Sequence, residues 1–182
     1  SPMQDDAPTF TWTLAASSWI MDNKNVSIQG LRLRMVADSA VAPVTKAIVV
    51  TAAGCSMMGN VIETATTSLL GAAITLELGS GAHQFTFAGN YVYGFINTFG
   101  TDVVKLAAAI LDPVIVKNVI MAPATIATGV INIVGASLRV LIADNILSNT
   151  IAASTACIAA DNALSSGNIV RNMCSVLNNG TG

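Results

Sequence analysis

Asparagine recurs along this chain at a nearly constant step, and its surroundings recur with it. Asn60, Asn90, Asn118, Asn145 and Asn168 share a neighbourhood, with Leu31 in the equivalent place of an earlier copy. The steps are 29, 30, 28, 27 and 23 residues. Three positions before each anchor stand Ile28, Met57, Phe87, Ile115, Ile142 and Ser165, and two after it Leu33, Ile62, Val92, Ile120, Leu147 and Val170. Five before it stand Val26, Cys55, Phe85, Pro113, Val140 and Ala163. Columns spaced by two around a fixed turn are strand spacing, because a helical face repeats every ~3.6 residues. A fixed period of about 20–50 residues marks an array of like units, none of which can bury its apolar face alone.

Each unit carries a second apolar run upstream of its anchor: 47–51, 74–78, 103–106, 130–134 and 156–159. Small residues then mark a bend, as in Gly79-Ser80-Gly81 and Gly135-Ala136-Ser137. The unit therefore reads strand, bend, strand, Gly-Asn corner, strand, return loop. With stacked strands about 4.8 Å apart, six such coils predict a column about 29 Å tall. The corners Gly59-Asn60-Val61-Ile62, Gly89-Asn90-Tyr91-Val92 and Gly167-Asn168-Ile169-Val170 carry a resemblance to the pectate-lyase-like right-handed parallel β-helix, with Lys117-Asn118 and Asp144-Asn145 as weaker copies. The fold expected is all-β, a single-stranded right-handed parallel β-helix of about six coils. Asn tolerates a left-handed corner, and stacked amides can form a hydrogen-bonded ladder. Residues 26–177 read as the helix, 1–25 as an N-terminal cap and first partial coil holding both tryptophans, and 178–182 as a polar tail.

Composition narrows the function. Apolar residues make up 53% of the 182 and charged ones 10%, against a usual charged share of about 25%. That excludes a solvating disordered chain. A net charge of −2 argues against nucleic acid, which needs a basic surface. The uncharged stretch from Asn118 to Leu138 is long enough for a membrane span but holds Pro123, Gly129, Asn132 and Gly135, so no membrane role is expected. No signal peptide is read in Ser1–Asp6. Three dispersed cysteines, Cys55, Cys157 and Cys174, do not make a disulfide framework.

Many β-helical proteins cleave polysaccharides, and glycoside hydrolysis needs two carboxylates roughly 5–10 Å apart. Three positions after the anchor the stack reads Arg34, Glu63, Tyr93, Met121, Ser148 and Arg171, with a single acid, and Glu77 has no acidic neighbour in strand register. His83 is the only histidine, which excludes a multi-histidine metal site within one chain. No catalytic, cofactor or metal residues are therefore predicted, and the chain is read as a non-enzyme.

The outside of the column is unusual. Four before the anchor the sequence runs Ser27, Ser56, Thr86, Val114, Leu141, Leu164, and one after it Arg32, Val61, Tyr91, Val119, Ile146, Ile169. Val114, Leu141, Leu164, Val119, Ile146 and Ile169 are accordingly the candidate contact surface, since aliphatic stripes on an outer face mark association. Small, uncharged, catalytically bare β-helices resemble bacteriophage virion components, which implies a homotrimeric head-decoration (cement) protein bound to itself and to the major capsid protein or another virion protein. It would be assembled in the host cytoplasm into the virion. The alternative is a tail-spike module recognising a host surface glycan.

Overall fold

The computed structural model describes residues 8–14, 18–37, 46–64, 74–93, 102–122, 129–149, 156–162 and 165–176. Strand β1 (Thr9–Leu14) is followed by six triples. They are β2 (Trp19–Met21), β3 (Ser27–Gln29) and β4 (Arg32–Ala37); β5 (Lys46–Val50), β6 (Ser56–Met58) and β7 (Val61–Thr64); β8 (Ile74–Leu78), β9 (Thr86–Ala88) and β10 (Tyr91–Tyr93). Then come β11 (Asp102–Leu106), β12 (Val114–Val116) and β13 (Val119–Ala122); β14 (Gly129–Ile133), β15 (Val140–Ala143) and β16 (Ile146–Asn149); β17 (Ala156–Ala160), β18 (Gly167–Val170) and β19 (Met173–Val176).

The first strands of the triples stack into sheet 1, the second into sheet 2, and the third, with β1, into a seven-stranded sheet 3. Every pairing is parallel and joins one coil to the next. The fold is thus a parallel β-helix. The expected coil count needs qualifying, because only the four middle triples have a full coil on both sides.

The core is the inside of the column. The centre residues of the sheet 2 strands, Ile28, Met57, Phe87, Ile115 and Ile142, stack in register and are buried. Leu33, Ile62, Val92, Ile120 and Leu147 do the same on sheet 3. Sheet 1 departs from alternation: both members of Ala47–Ile48, Thr75–Leu76, Val103–Val104 and Val130–Ile131 are buried. At the first coil the rings of Phe10 and Trp19 stack with centroids 5.7 Å apart.

Between sheets 2 and 3 the chain turns at one residue with positive φ, repeated six times: Gly30, Gly59, Gly89, Lys117, Asp144 and Arg171, at +51° to +64°. The left-handed residue is therefore the one before the asparagine, not the asparagine itself. The asparagine is buried and fills the corner. Asn118 Oδ1 accepts from the backbone N–H of Asn90 (2.9 Å) and from its Nδ2 (3.0 Å). Asn118 Nδ2 donates to the Phe87 carbonyl (2.8 Å) and to Asn145 Oδ1 (3.0 Å). Both lone pairs and both amide hydrogens are used.

Asn60, Asn90, Asn118 and Asn145 form this ladder, and its last rung is Asn172, whose Oδ1 accepts from Asn145 N and Nδ2. The expectation that Asn168 is the fifth anchor is overturned. Asn168 lies within β18 opposite Leu141, and the true step from Asn145 is 27 residues. Gly167, with φ of +154° and no room for a Cβ beside the Val140 backbone, is a close-approach glycine at the strand's start rather than a corner.

Asn118→Ala strands the Asn90 N–H and one Asn90 amide hydrogen in a dry interior, at about 1–3 kcal/mol for each buried group, and takes from the Phe87 carbonyl the second of its donors. We expect a loss of about 4 kcal/mol and a Tm lower by roughly 10 °C in thermal unfolding followed by circular dichroism. Asn172→Ala, at the half-buried end of the ladder, should cost less than half as much.

Candidate functional site

Strand alternation and the corner geometry fix what the column shows outside. On sheet 2 the residues flanking each core position lie on the outer side, giving Ser27 and Gln29, Ser56 and Met58, Thr86 and Ala88, Val114 and Val116, Leu141 and a buried Ala143, and finally Asn168 and Val170. None of the twelve carries a charge. The surface grades from hydroxyl, where Ser56 Oγ donates to Ser27 Oγ at 2.8 Å, to aliphatic at Val114 and Leu141.

Charge borders this face on both corners. On the side where sheet 2 begins, Arg139 pairs bidentately with Asp112, its Nη2 at 2.8 Å. On the side where it ends, Arg171 pairs with Asp144 through Nε (2.7 Å) and Nη2 (2.9 Å). All four residues have positive φ, so each pair joins equivalent corners of adjacent coils and projects outward. The guanidiniums hold both carboxyls below the ordinary aspartate range through these hydrogen bonds, with Lys117 adding to the effect at Asp144.

Sheet 3 continues the surface past the asparagine corner. Its outer residues run Arg32 and Arg34, Val61 and Glu63, Tyr91 and Tyr93, Val119 and Met121, Ile146 and Ser148, Met173 and Ser175. Half of this face is polar: Glu63 is buried beside Arg34 (3.2 Å) and Arg32 (3.8 Å) and accepts a hydrogen bond from the Tyr93 hydroxyl. That bond, then burial, then the Glu63 charge raise the Tyr93 pKa above its ordinary value. The other half is apolar, with Met121 40%, Ile146 44% and Met173 65% exposed.

Of the predicted contact residues, Val114 and Leu141 stand on sheet 2 and Val119 and Ile146 on sheet 3, all facing outward. Ile169 is a correction. It pairs with Ile142 in the inner column and is 51% exposed because β18 is the last strand of its sheet; Met173 takes the outer place assigned to it. Likewise Ser175, not Arg171, continues the row after Ser148. Leu164 lies outside the described residues, and Asn168 holds the outer position next to Leu141. Sequence reasoning missed the ion-pair rims, since each joins residues 27 apart.

The remaining buried acids are matched with cations. Glu77 meets Lys46 at 2.6 Å, and Asp102 faces Lys105 at 4.0 Å and accepts from Asn132 Nδ2 at 3.0 Å. His83 Nδ1 accepts from the Leu111 N–H at 3.2 Å, a contact between coils. Among the described residues no cluster of three or more His, Cys, Asp or Glu could hold a metal ion, and no helix is long and apolar enough to cross a membrane. Comparison with protein-family models, with curated proteins and with solved structures finds no match to this chain.

Glu63→Gln removes the carboxylate that holds the Tyr93 proton. In a spectrophotometric titration we expect Tyr93 of the parent to ionise above the ordinary value near ~10, and to move down in the variant as the Arg32 charge then favours the phenolate. Identical titration of parent and variant would mean that the bond is not formed in solution.

Proposed function

We propose that this chain is a structural virion protein, a homotrimeric head-decoration or cement protein of the bacteriophage type. It associates with itself and with the major capsid protein or another virion protein and carries out no turnover. One observation carries the association: the uncharged face of sheet 2 between the Asp112–Arg139 and Asp144–Arg171 pairs. With three residues at about 3.3 Å across and six strands at about 4.8 Å along, each outer face measures about 10 by 29 Å. Sheets 2 and 3 together offer about 600 Å², approaching the ~800 Å² per partner of a standard interface. The apolar centre supplies the driving force and the rims set the register, as like charges brought together would be costly. The assignment to a virion rests on the resemblance of small, catalytically bare β-helices to phage decoration proteins.

A second reading, glycan recognition by a spike module, is favoured by Tyr91 and Tyr93. Their rings meet edge to face, centroids 5.1 Å apart at 60°, beside Glu63 and the two arginines. Among the described outer positions of sheet 3 the aromatic surface is confined to one coil, flanked by Val61 and Val119. A saccharide chain running along those positions would find no second platform.

Light scattering across a concentration series should give a particle of three times the 18.6 kDa chain. Leu141→Arg, which places a cation on the aliphatic part of the face one strand in from its β18 edge, should yield monomers with an unchanged circular dichroism spectrum. The parent trimer should then bind capsid shells assembled without it. A parent that stays monomeric throughout would overturn the trimer and favour the glycan reading. A trimeric Leu141→Arg variant would move the contact off sheet 2.

A further inference from the structure

At the C-terminal end of the column the fold joins two thiols that the sequence holds 17 residues apart. Cys174 lies on β19 opposite Leu147, in the inner column of sheet 3. Cys157 lies on β17 of sheet 1, its Sγ 3.9 Å from the Leu147 carbonyl oxygen. Both thiols therefore flank Leu147, and Cys174 and the Ser175 backbone are the near neighbours of the Cys157 sulfur. In the preceding coils the same two columns hold Val130 with Leu147 and Val103 with Ile120. Thiols thus replace an aliphatic core pair in the one triple that has no further strand stacked beyond it among the described residues.

Their exposures divide the labour. Cys174 is open to solvent and Cys157 is buried, which pushes the Cys157 thiol up to about 12. Cys55, the third cysteine, is buried near the other end with its Sγ 3.1 Å from the Asn23 carbonyl oxygen, and so serves as an internal control.

We propose that Cys157 and Cys174 form a reversible intrachain disulfide that ties sheet 1 to sheet 3 in the last coil. The co-reactant is a small disulfide of the oxidised glutathione class. The Cys174 thiolate attacks one glutathione sulfur, its S–S bond breaks and a glutathione thiolate leaves. Cys157 then gives up its proton and attacks the Cys174 sulfur, expelling the second glutathione. One disulfide is reduced and one is formed, and the two protein protons end on two glutathione thiols. In the mixed disulfide burial still disfavours the Cys157 thiolate, so the closing step quickens as pH rises.

The test uses the full chain, reduced and then equilibrated with glutathione redox buffers of increasing oxidation, quenched in acid, alkylated and weighed intact. The expected product is a monomer lighter by about 2 Da with two thiols no longer alkylated, a peptide linking Cys157 to Cys174, and Cys55 still free. Its Tm should rise by roughly 5–10 °C, as expected for closing a loop of this length. Cys157→Ser should stop at a stable glutathione adduct on Cys174, and Cys174→Ser should take up none. A parent that accumulates only the Cys174 adduct, or only dimers joined through Cys174, would overturn the proposal.

Discussion

One amide per coil sets the register of this protein. A chain turning sharply between two sheets strands an N–H at each corner and leaves the nearby strand carbonyl a free lone pair, and the corner is buried. The asparagine side chain answers both at once, accepting from the N–H of the anchor before it and donating to a carbonyl of that same earlier coil. Its other lone pair and hydrogen join neighbouring amides into a ladder from Asn60 to Asn172. A coil displaced by one residue would break all four bonds and turn the core columns outward. The apolar stacks of Ile28 to Ile142 and Leu33 to Leu147 supply most of the free energy, but the amides decide which residues meet.

The corner also explains where the charges went. The residue before each asparagine must take positive φ, which costs a non-glycine residue about 1 kcal/mol or more. Glycine fills it in the first three coils, where a Cβ at Gly30 or Gly59 would meet nothing within 4 Å. Space is therefore free and only the backbone objects. Lys117, Asp144 and Arg171 accept that strain in the last three, and the Asp144–Arg171 pair offsets part of it. Charge placed at these corners borders sheet 2, whose own outer positions are neutral, while sheets 1 and 3 keep their charges in pairs such as Lys46–Glu77 and Arg34–Glu63.

The sequence was legible where its period was strict. Strands β5, β8, β11, β14 and β17 fall on the upstream apolar runs, and the middle corners fall on their asparagines. Reading failed in the last coil because Gly167-Asn168-Ile169-Val170 imitates the corner of Gly59-Asn60-Val61-Ile62. The better guide was Arg171-Asn172-Met173-Cys174, which copies the charged-Asn-apolar-apolar pattern of Asp144-Asn145-Ile146-Leu147 at an unbroken step of 27. Glycine misled because the corner asks for a left-handed residue with open space, a demand that arginine can meet. The outward face of sheet 2 was visible as a stripe of side chains. Its charged borders were not, because an ion pair across 27 residues has no local signature.

The ladder's hydrogen bonds all join residues 27 to 33 positions apart. No coil needs a partner from the far end of the chain, so the entropy lost in bringing strands together is about the same small loop closure each time. Such a column can grow as a zipper from any coil that forms first, each added turn offering the next a ready template. Its stability is accordingly a local quantity, decided turn by turn, and a lesion in one rung separates the column into two shorter ones rather than unravelling it from within.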